Sequence, residues 1–154
     1  MTETYKQWTT EELLPHSGHM VLIDRVVSYK DNAITVVKTI KPDEVFVENG
    51  SVQGWVAIEY IAQAIGAFAG IRSKLAGEPV KVGLLIGTRK FSCDFPQFSV
   101  GDELSISAEQ IHKEDSGLCV FACEVIAPQG KITANLNVFV PEDIDAFMAE
   151  GANE

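Results

Sequence analysis

A carboxylate and an amide one helical turn apart, Glu59 and Gln63, interrupt the most apolar stretch of the chain, Trp55 to Ile71. Glu59 is the sole side chain in that stretch charged at neutral pH. Burying an unpartnered carboxylate is costly or forces its protonation, so one kept in such a place has a partner, a task, or a turn of the helix that leaves it at a wet edge. Gly66 and Gly70 continue the same helical stripe, as though that side met a hydrogen-bonding slot and close-packed backbone, and the stripe could line a pocket. His16 and His19 lie upstream in LPHSGHMVLID. Their spacing resembles a metal pair, but no other His or Cys with suitable spacing completes a zinc site, which leaves a structural role or acid–base work. His112, beside Lys113, reads as a surface residue.

The cysteines carry less chemistry. Three is an odd number, and Cys119 and Cys123 fall on a segment that alternates like a strand, GLCVFACEVI. Four residues at strand rise separate their sulfurs by roughly 13 Å, too far to share one tetrahedral ion. They read as buried thiols, and Cys93 has no base nearby in sequence to make it reactive. GxGxxG, GxxxxGK[ST] and GxSxG are all absent, which removes the common nucleotide-binding and serine-hydrolase readings.

These residues need elements to position them. TTEELLP predicts a short helical turn capped by Thr9 or Thr10, with Pro15 after its end. MVLIDRVVSY predicts a strand, Lys30-Asp31-Asn32 a turn, and AITVVKTI its antiparallel partner. Residues 41–54 mix Pro, Gly, Asn and acids without periodicity and read as an irregular loop. WVAIEYIAQAIGAFAGIRSKLAG then predicts one long helix, apolar on nearly every face, which belongs at the centre of the fold. Four further strands are expected near 80–92, 103–113, 118–127 and 131–140, separated by Pro- and Gly-containing turns. This pattern is α+β: one antiparallel six-stranded sheet wrapped around one long central helix, with exposed edges that suit pairing of two sheets in a dimer.

The 154 residues suit one domain, with a core over about 12–141 between a polar N-terminal and an acidic C-terminal tail. Twelve Lys and Arg face twenty-two Asp and Glu, a formal charge of -10, and no basic run tracks a row of phosphates. Neither nucleic acid nor an anionic membrane surface is an expected partner. The start, MTETYKQWTTEE, lacks a basic region and an apolar run, and the apolar stretch 55–71 falls short of the roughly 20 residues that span a bilayer, so a cytoplasmic protein without a membrane span is expected.

Three segments resemble the β-hydroxyacyl-acyl-carrier-protein dehydratases of the hot-dog fold (FabA/FabZ-like). Leu14-Pro15-His16 running into Met20-Val-Leu-Ile-Asp24-Arg25 resembles that family's LPHRxPFLLVDR opening. Gly54-Trp-Val-Ala-Ile-Glu59-Tyr-Ile-Ala62-Gln63 resembles its PGVLIxEAxAQ segment, with the Gly-to-Glu spacing kept. Ile86-Gly87, Phe91 and Val100-Gly101-Asp102-Glu-Leu104 resemble AGIDxxxF and VxPGDxL with a shorter middle. The family's catalytic histidine lies in a GHFPGxPxxPG loop ahead of the helix, where this chain has Val45. In that respect it is similar to a divergent subgroup lacking that histidine, which includes dehydratase-like proteins of aryl-polyene pigment clusters.

The resemblance implies a hot-dog domain that pairs as a homodimer, or as a heterodimer with another hot-dog subunit, to form substrate tunnels. It implies dehydration of a 3-hydroxyacyl thioester on an acyl carrier protein to a trans-2-enoyl thioester, in fatty-acid or polyene-type biosynthesis, with no metal or organic cofactor. Glu59 takes the carboxyl role and His16, which matches a family position, the base; His19 is the second choice. Gly54, Gln63 and Gly87 are the expected substrate-binding residues. Arg89 and Lys90, whose strand the resemblance puts at the tunnel mouth, are the expected carrier-docking pair ahead of Arg72 and Lys74. Two other expectations stay open: a hot-dog thioesterase in which Glu59 activates water, and a non-catalytic subunit that supports an active partner.

Overall fold

The structure, a computed structural model, describes residues 4–15, 18–80 and 84–140. His16 and the tail beyond 140 lie outside them. After a 3-10 turn at Thr4–Gln7 comes α1, Thr10–Leu13, capped as expected by Thr9 in a reciprocal box with Glu12. The expected first strand begins later than its apolar content suggests. Gly18–Met20 is a 3-10 turn, residues 21–24 are irregular, and β1 runs over Arg25–Lys30. It turns at Asp31-Asn32 into β2, Ala33–Thr39.

The loop expected over 41–54 contains one short strand, β3, Ser51–Gln53, which pairs with β5, Gln97–Ser99, as a separate two-stranded sheet. A 3-10 turn at Gly54–Val56 opens the long helix α2, Ala57–Leu75. Gly77, at a φ of +72°, ends it. The remaining strands are β4, Leu84–Cys93; β6, Glu103–Lys113; β7, Leu118–Ala127; and β8, Gly130–Phe139.

The main sheet has the order β1-β2-β6-β7-β8-β4, with every pair antiparallel. One face is apolar because alternate residues point the same way: Ile34 and Val36 on β2, Leu104, Ile106 and Ala108 on β6, Cys119, Phe121, Cys123 and Val125 on β7, and Ile132, Ala134, Leu136 and Val138 on β8 are all buried. Helix α2 fills that concave face, packing on β2, β6 and β7. Phe68 packs between Tyr29, tilted to it, and Phe121, which it meets edge to face, at ring separations of 5.7 Å from each. By length and composition Gly54–Leu75 could cross a bilayer, but 67% of its most apolar window is buried within the fold, as in a core helix. The two outer strands are β1 and β4, and β4 exposes Leu85, Ile86 and Phe91.

Candidate active site

The site is organised by Gln63, which is fully buried on α2. Its Nε2 donates to Glu59 Oε1 at 3.0 Å and to the Met20 carbonyl at 2.6 Å, and its Oε1 accepts from the Leu22 N–H at 2.8 Å. The bond to Leu22 accounts for the strand stopping short of it, since a backbone group that a ladder would have used is taken by a side chain, while the Asp24 N–H still donates to the Val37 carbonyl of β2 at 3.0 Å. Lys38 continues the pattern by donating to the Leu22 carbonyl at 2.6 Å. The segment that follows the histidines is thereby strapped across the helix at the turn that carries Glu59.

Glu59 is half-buried in the first turn of α2. Trp55, one turn earlier, is 61% exposed, so this end of the helix presents an apolar surface beside the carboxylate. His19 is exposed in the turn next to Met20, while the position of His16 relative to Glu59 lies outside the described residues. Val45, where the dehydratase loop histidine would fall, is 56% exposed. His112 is on the surface, its ring 3.3 Å from Glu114.

The glycine stripe does not line a pocket. A Cβ at Gly70 would lie 2.1 Å from the Leu13 carbonyl oxygen, and one at Gly66 would lie 2.9 Å from Leu14 Cδ2. Gly70 admits the end of α1 against α2, and Leu14, the residue after α1, covers Gly66. Gly54 also serves close packing. Its N–H donates to the Pro96 carbonyl at 2.9 Å, and an added Cβ would meet Cys93 Sγ, Pro96 O and Phe95 O at 3.1–3.3 Å. Gly54, an expected substrate-binding residue, thus has its own N–H engaged within the fold.

Gly87 is half-buried on β4 beside a register shift, with open space where a Cβ would point. Arg89 and Lys90 are both exposed on the same outer strand, and a second shift gives Lys90 a φ of 55°. Arg72, by contrast, is used internally: it donates to the Asp31 carbonyl and to Gln110, and stacks 4.5 Å from the Phe68 ring centroid. Surface cavities of about 420, 580 and 480 Å³ lie elsewhere, the first around Phe68, Arg72 and Phe121, and none of these three is lined by Glu59 or Gln63.

Among the described residues no group of three or more His, Cys, Asp or Glu converges where a metal could be held. All three cysteines are free. Cys93 donates to the Phe95 carbonyl, and burial pushes the Cys123 thiol up to about 12.

The sequence alone does not single out Lys38 and its partner Glu44. Lys38 is buried and donates to Glu44 Oε2 at 2.5 Å, and its ammonium lies 5.1 Å from the Tyr60 ring centroid. Desolvation lowers the pKa of Lys38 and raises that of Tyr60. The signal was present, since Lys38 falls in phase with Ile34 and Val36, where an inward residue is expected to be apolar.

An antiparallel sheet wrapped around one buried helix, here with a glutamate near the helix's first turn, defines a hot-dog protein. Residues 8–149 match the family model described as ApeP-like, ApeP dehydratase, and the chain belongs to that family of hydro-lyases. It is 26% identical over 134 residues to the 3-hydroxyacyl-[acyl-carrier-protein] dehydratase FabZ of Acinetobacter baylyi, covering 84% of this chain and 88% of that one. A chain of the dehydratase heterocomplex ApeI:P from Xenorhabdus doucetiae superposes with a TM-score of 0.83 at 29% identity, over 92% of this chain and 97% of that one. A hypothetical thioesterase with coenzyme A from Streptococcus pneumoniae shares the fold at 15% identity, with a TM-score of 0.57 over 75% and 84% of the two chains.

Proposed function

We propose that this chain dehydrates a 3-hydroxyacyl thioester carried on an acyl carrier protein, giving a trans-2-enoyl thioester and water. The observation that carries the reading is the half-buried Glu59 carboxyl group, fixed by Gln63 beside the exposed Trp55, in a chain of the ApeP-like dehydratase family. A base takes the proton from C2, which the thioester acidifies. The electron pair forms the C2–C3 double bond, and the C3 hydroxyl leaves with a proton from Glu59. His16 is the base in this reading and His19 its alternate.

The thioester carbonyl sits near the N-terminal end of the long helix. Because Gly54 N–H is bonded to Pro96, the first-turn N–H groups after it and the helix dipole stabilise the enolate charge. Gly87 lets the acyl chain approach β4 closely.

The exposed apolar side chains of β4, an outer strand, support pairing with a second hot-dog subunit, which completes the acyl tunnel. The likeness to a chain of a dehydratase heterocomplex supports a different subunit as that partner, with a second copy of this chain as the alternative. Acyl carrier proteins are acidic, and a chain of net charge -10 needs a local basic patch to receive one. Arg89 and Lys90 form it; Arg72 is occupied within the fold.

The test is product analysis with a 3-hydroxyacyl carrier-protein thioester, alone and with a hot-dog partner. Enoyl thioester is expected. Free acid with carrier thiol would replace the reading by a thioesterase, and no product under either condition would leave a supporting subunit. In the same assay His16→Ala is expected to lose about 10²–10⁴-fold, with His19→Ala near wild type, and the reverse order moves the base to His19.

A further inference from the structure

Lys38 occupies an inward position of β2 that packing alone would fill with an aliphatic residue, since Ile34 and Val36 share its face. Its side chain is 0% exposed, and the Glu44 side chain paired with it is 12% exposed. Glu44 Oε1 is buried with no hydrogen-bond partner among the described residues. Burial disfavours the charged form of Lys38, and exchanging such a pair for apolar residues is often neutral or stabilising. Stability is therefore a poor explanation for keeping it.

The geometry gives a better one. Lys38 holds the Leu22 carbonyl while Gln63 Oε1 holds the Leu22 N–H. With Oε1 committed to a donor, the Gln63 amide has one orientation, in which Nε2 points at Met20 O and Glu59 Oε1. The chain of contacts runs from Glu44 through Lys38, the Leu22 peptide and Gln63 to the carboxylate.

We propose that the buried Lys38–Glu44 pair is a positioning device for the dehydration reaction, holding the Leu22 peptide where Gln63 can aim the Glu59 carboxyl. This rests on the reading of Glu59 as the proton donor. Neither Lys38 nor Glu44 need touch substrate. Displacements near 1 Å can cost about 10²-fold in rate, so loosening this strap is expected to lower kcat by about 10–100-fold with KM changed less than about twofold.

The test is the double variant Lys38→Met, Glu44→Met in the full chain, with whatever partner the wild type requires. Melting temperature, kcat and KM on a 3-hydroxyacyl pantetheine thioester are measured, together with the side-chain amide resonances of Gln63. The expected result is a melting temperature at or above wild type, the loss in kcat, and Gln63 resonances shifted toward those of a free amide. A stable double variant with wild-type kcat and unmoved Gln63 resonances reduces the pair to packing and overturns the proposal. Should the double variant not fold, Lys38→Met alone carries the same comparison, because Glu44 lies in a loop that can turn it to water. If the wild type forms no enoyl product, the functional reading fails separately and the Gln63 resonances still decide: shifted supports positioning, unmoved refutes it.

Discussion

Replacing Gln63 by Leu keeps the buried volume nearly constant and removes three hydrogen bonds at once. The largest loss falls on the Leu22 N–H, because Leu22 is 3% exposed and no water replaces the amide oxygen there. An orphaned buried donor costs about 1–3 kcal/mol. Met20 is 46% exposed and Glu59 is half-buried, so water can reach both of those groups and each loss is discounted to about 0.5–1.5 kcal/mol. Part of the total is returned by burying a more apolar side chain, which leaves a destabilisation of about 2–4 kcal/mol. For a chain of this length that corresponds to a fall of about 5–12 °C in melting temperature.

Urea unfolding followed by circular dichroism measures the loss. Hydrogen exchange at Leu22 locates it, with protection at that amide falling more than protection in β7 or β8. A destabilisation under about 0.5 kcal/mol, the range of an uninvolved surface position, would refute the clamp.

Gly70→Ala is expected to destabilise by about 1–3 kcal/mol, since the new methyl meets the Leu13 carbonyl, whereas Gly66→Ala meets a movable side-chain end and stays within about 1 kcal/mol of wild type. Equal melting temperatures for the two would mean that α1 does not pack on the glycines. Reversing Arg89 and Lys90 to Glu should raise KM for carrier-bound substrate and leave a pantetheine thioester almost unaffected, and added salt should raise the wild-type KM; equal weakening on both substrates moves the docking patch elsewhere. The pKa of Lys38 is lowered in the fold by burial, so between its folded and unfolded values the unfolded chain binds more protons and stability gains with pH. The stability of wild type minus that of Lys38→Met should therefore climb as pH rises toward the ordinary lysine value of 10.5, and a flat or falling difference contradicts a buried, charged lysine.

Strand alternation makes most of the sheet legible in the sequence. The inward rows of β7 and β8 follow period two without interruption, and the Thr9 cap and Pro15 bracket α1. Residues 21–24 misled because apolar content alone does not say whether the neighbouring backbone bonds to a strand or to Gln63 and Lys38. Strands β3 and β5 have three residues each, too few for periodicity to register. At the site, Glu59 stood out as a charge in an apolar helix, and Gln63 could be seen beside it. The clamp across to Met20 and Leu22 spans more than 40 residues of sequence, a distance at which no local pattern operates. Gly66 and Gly70 signalled close approach correctly, but helical spacing does not distinguish a ligand from the backbone of α1.

The central claim is that Glu59 transfers the proton to the departing hydroxyl. Glu59→Gln tests it most directly, because the amide keeps the shape and an oxygen for Gln63 Nε2 while losing the transferable proton. Turnover of a 3-hydroxyacyl carrier-protein thioester, with the variant shown by circular dichroism to be folded and to retain its partner, is expected to fall by at least about 10²-fold. Near-wild-type turnover by that folded variant would contradict the account.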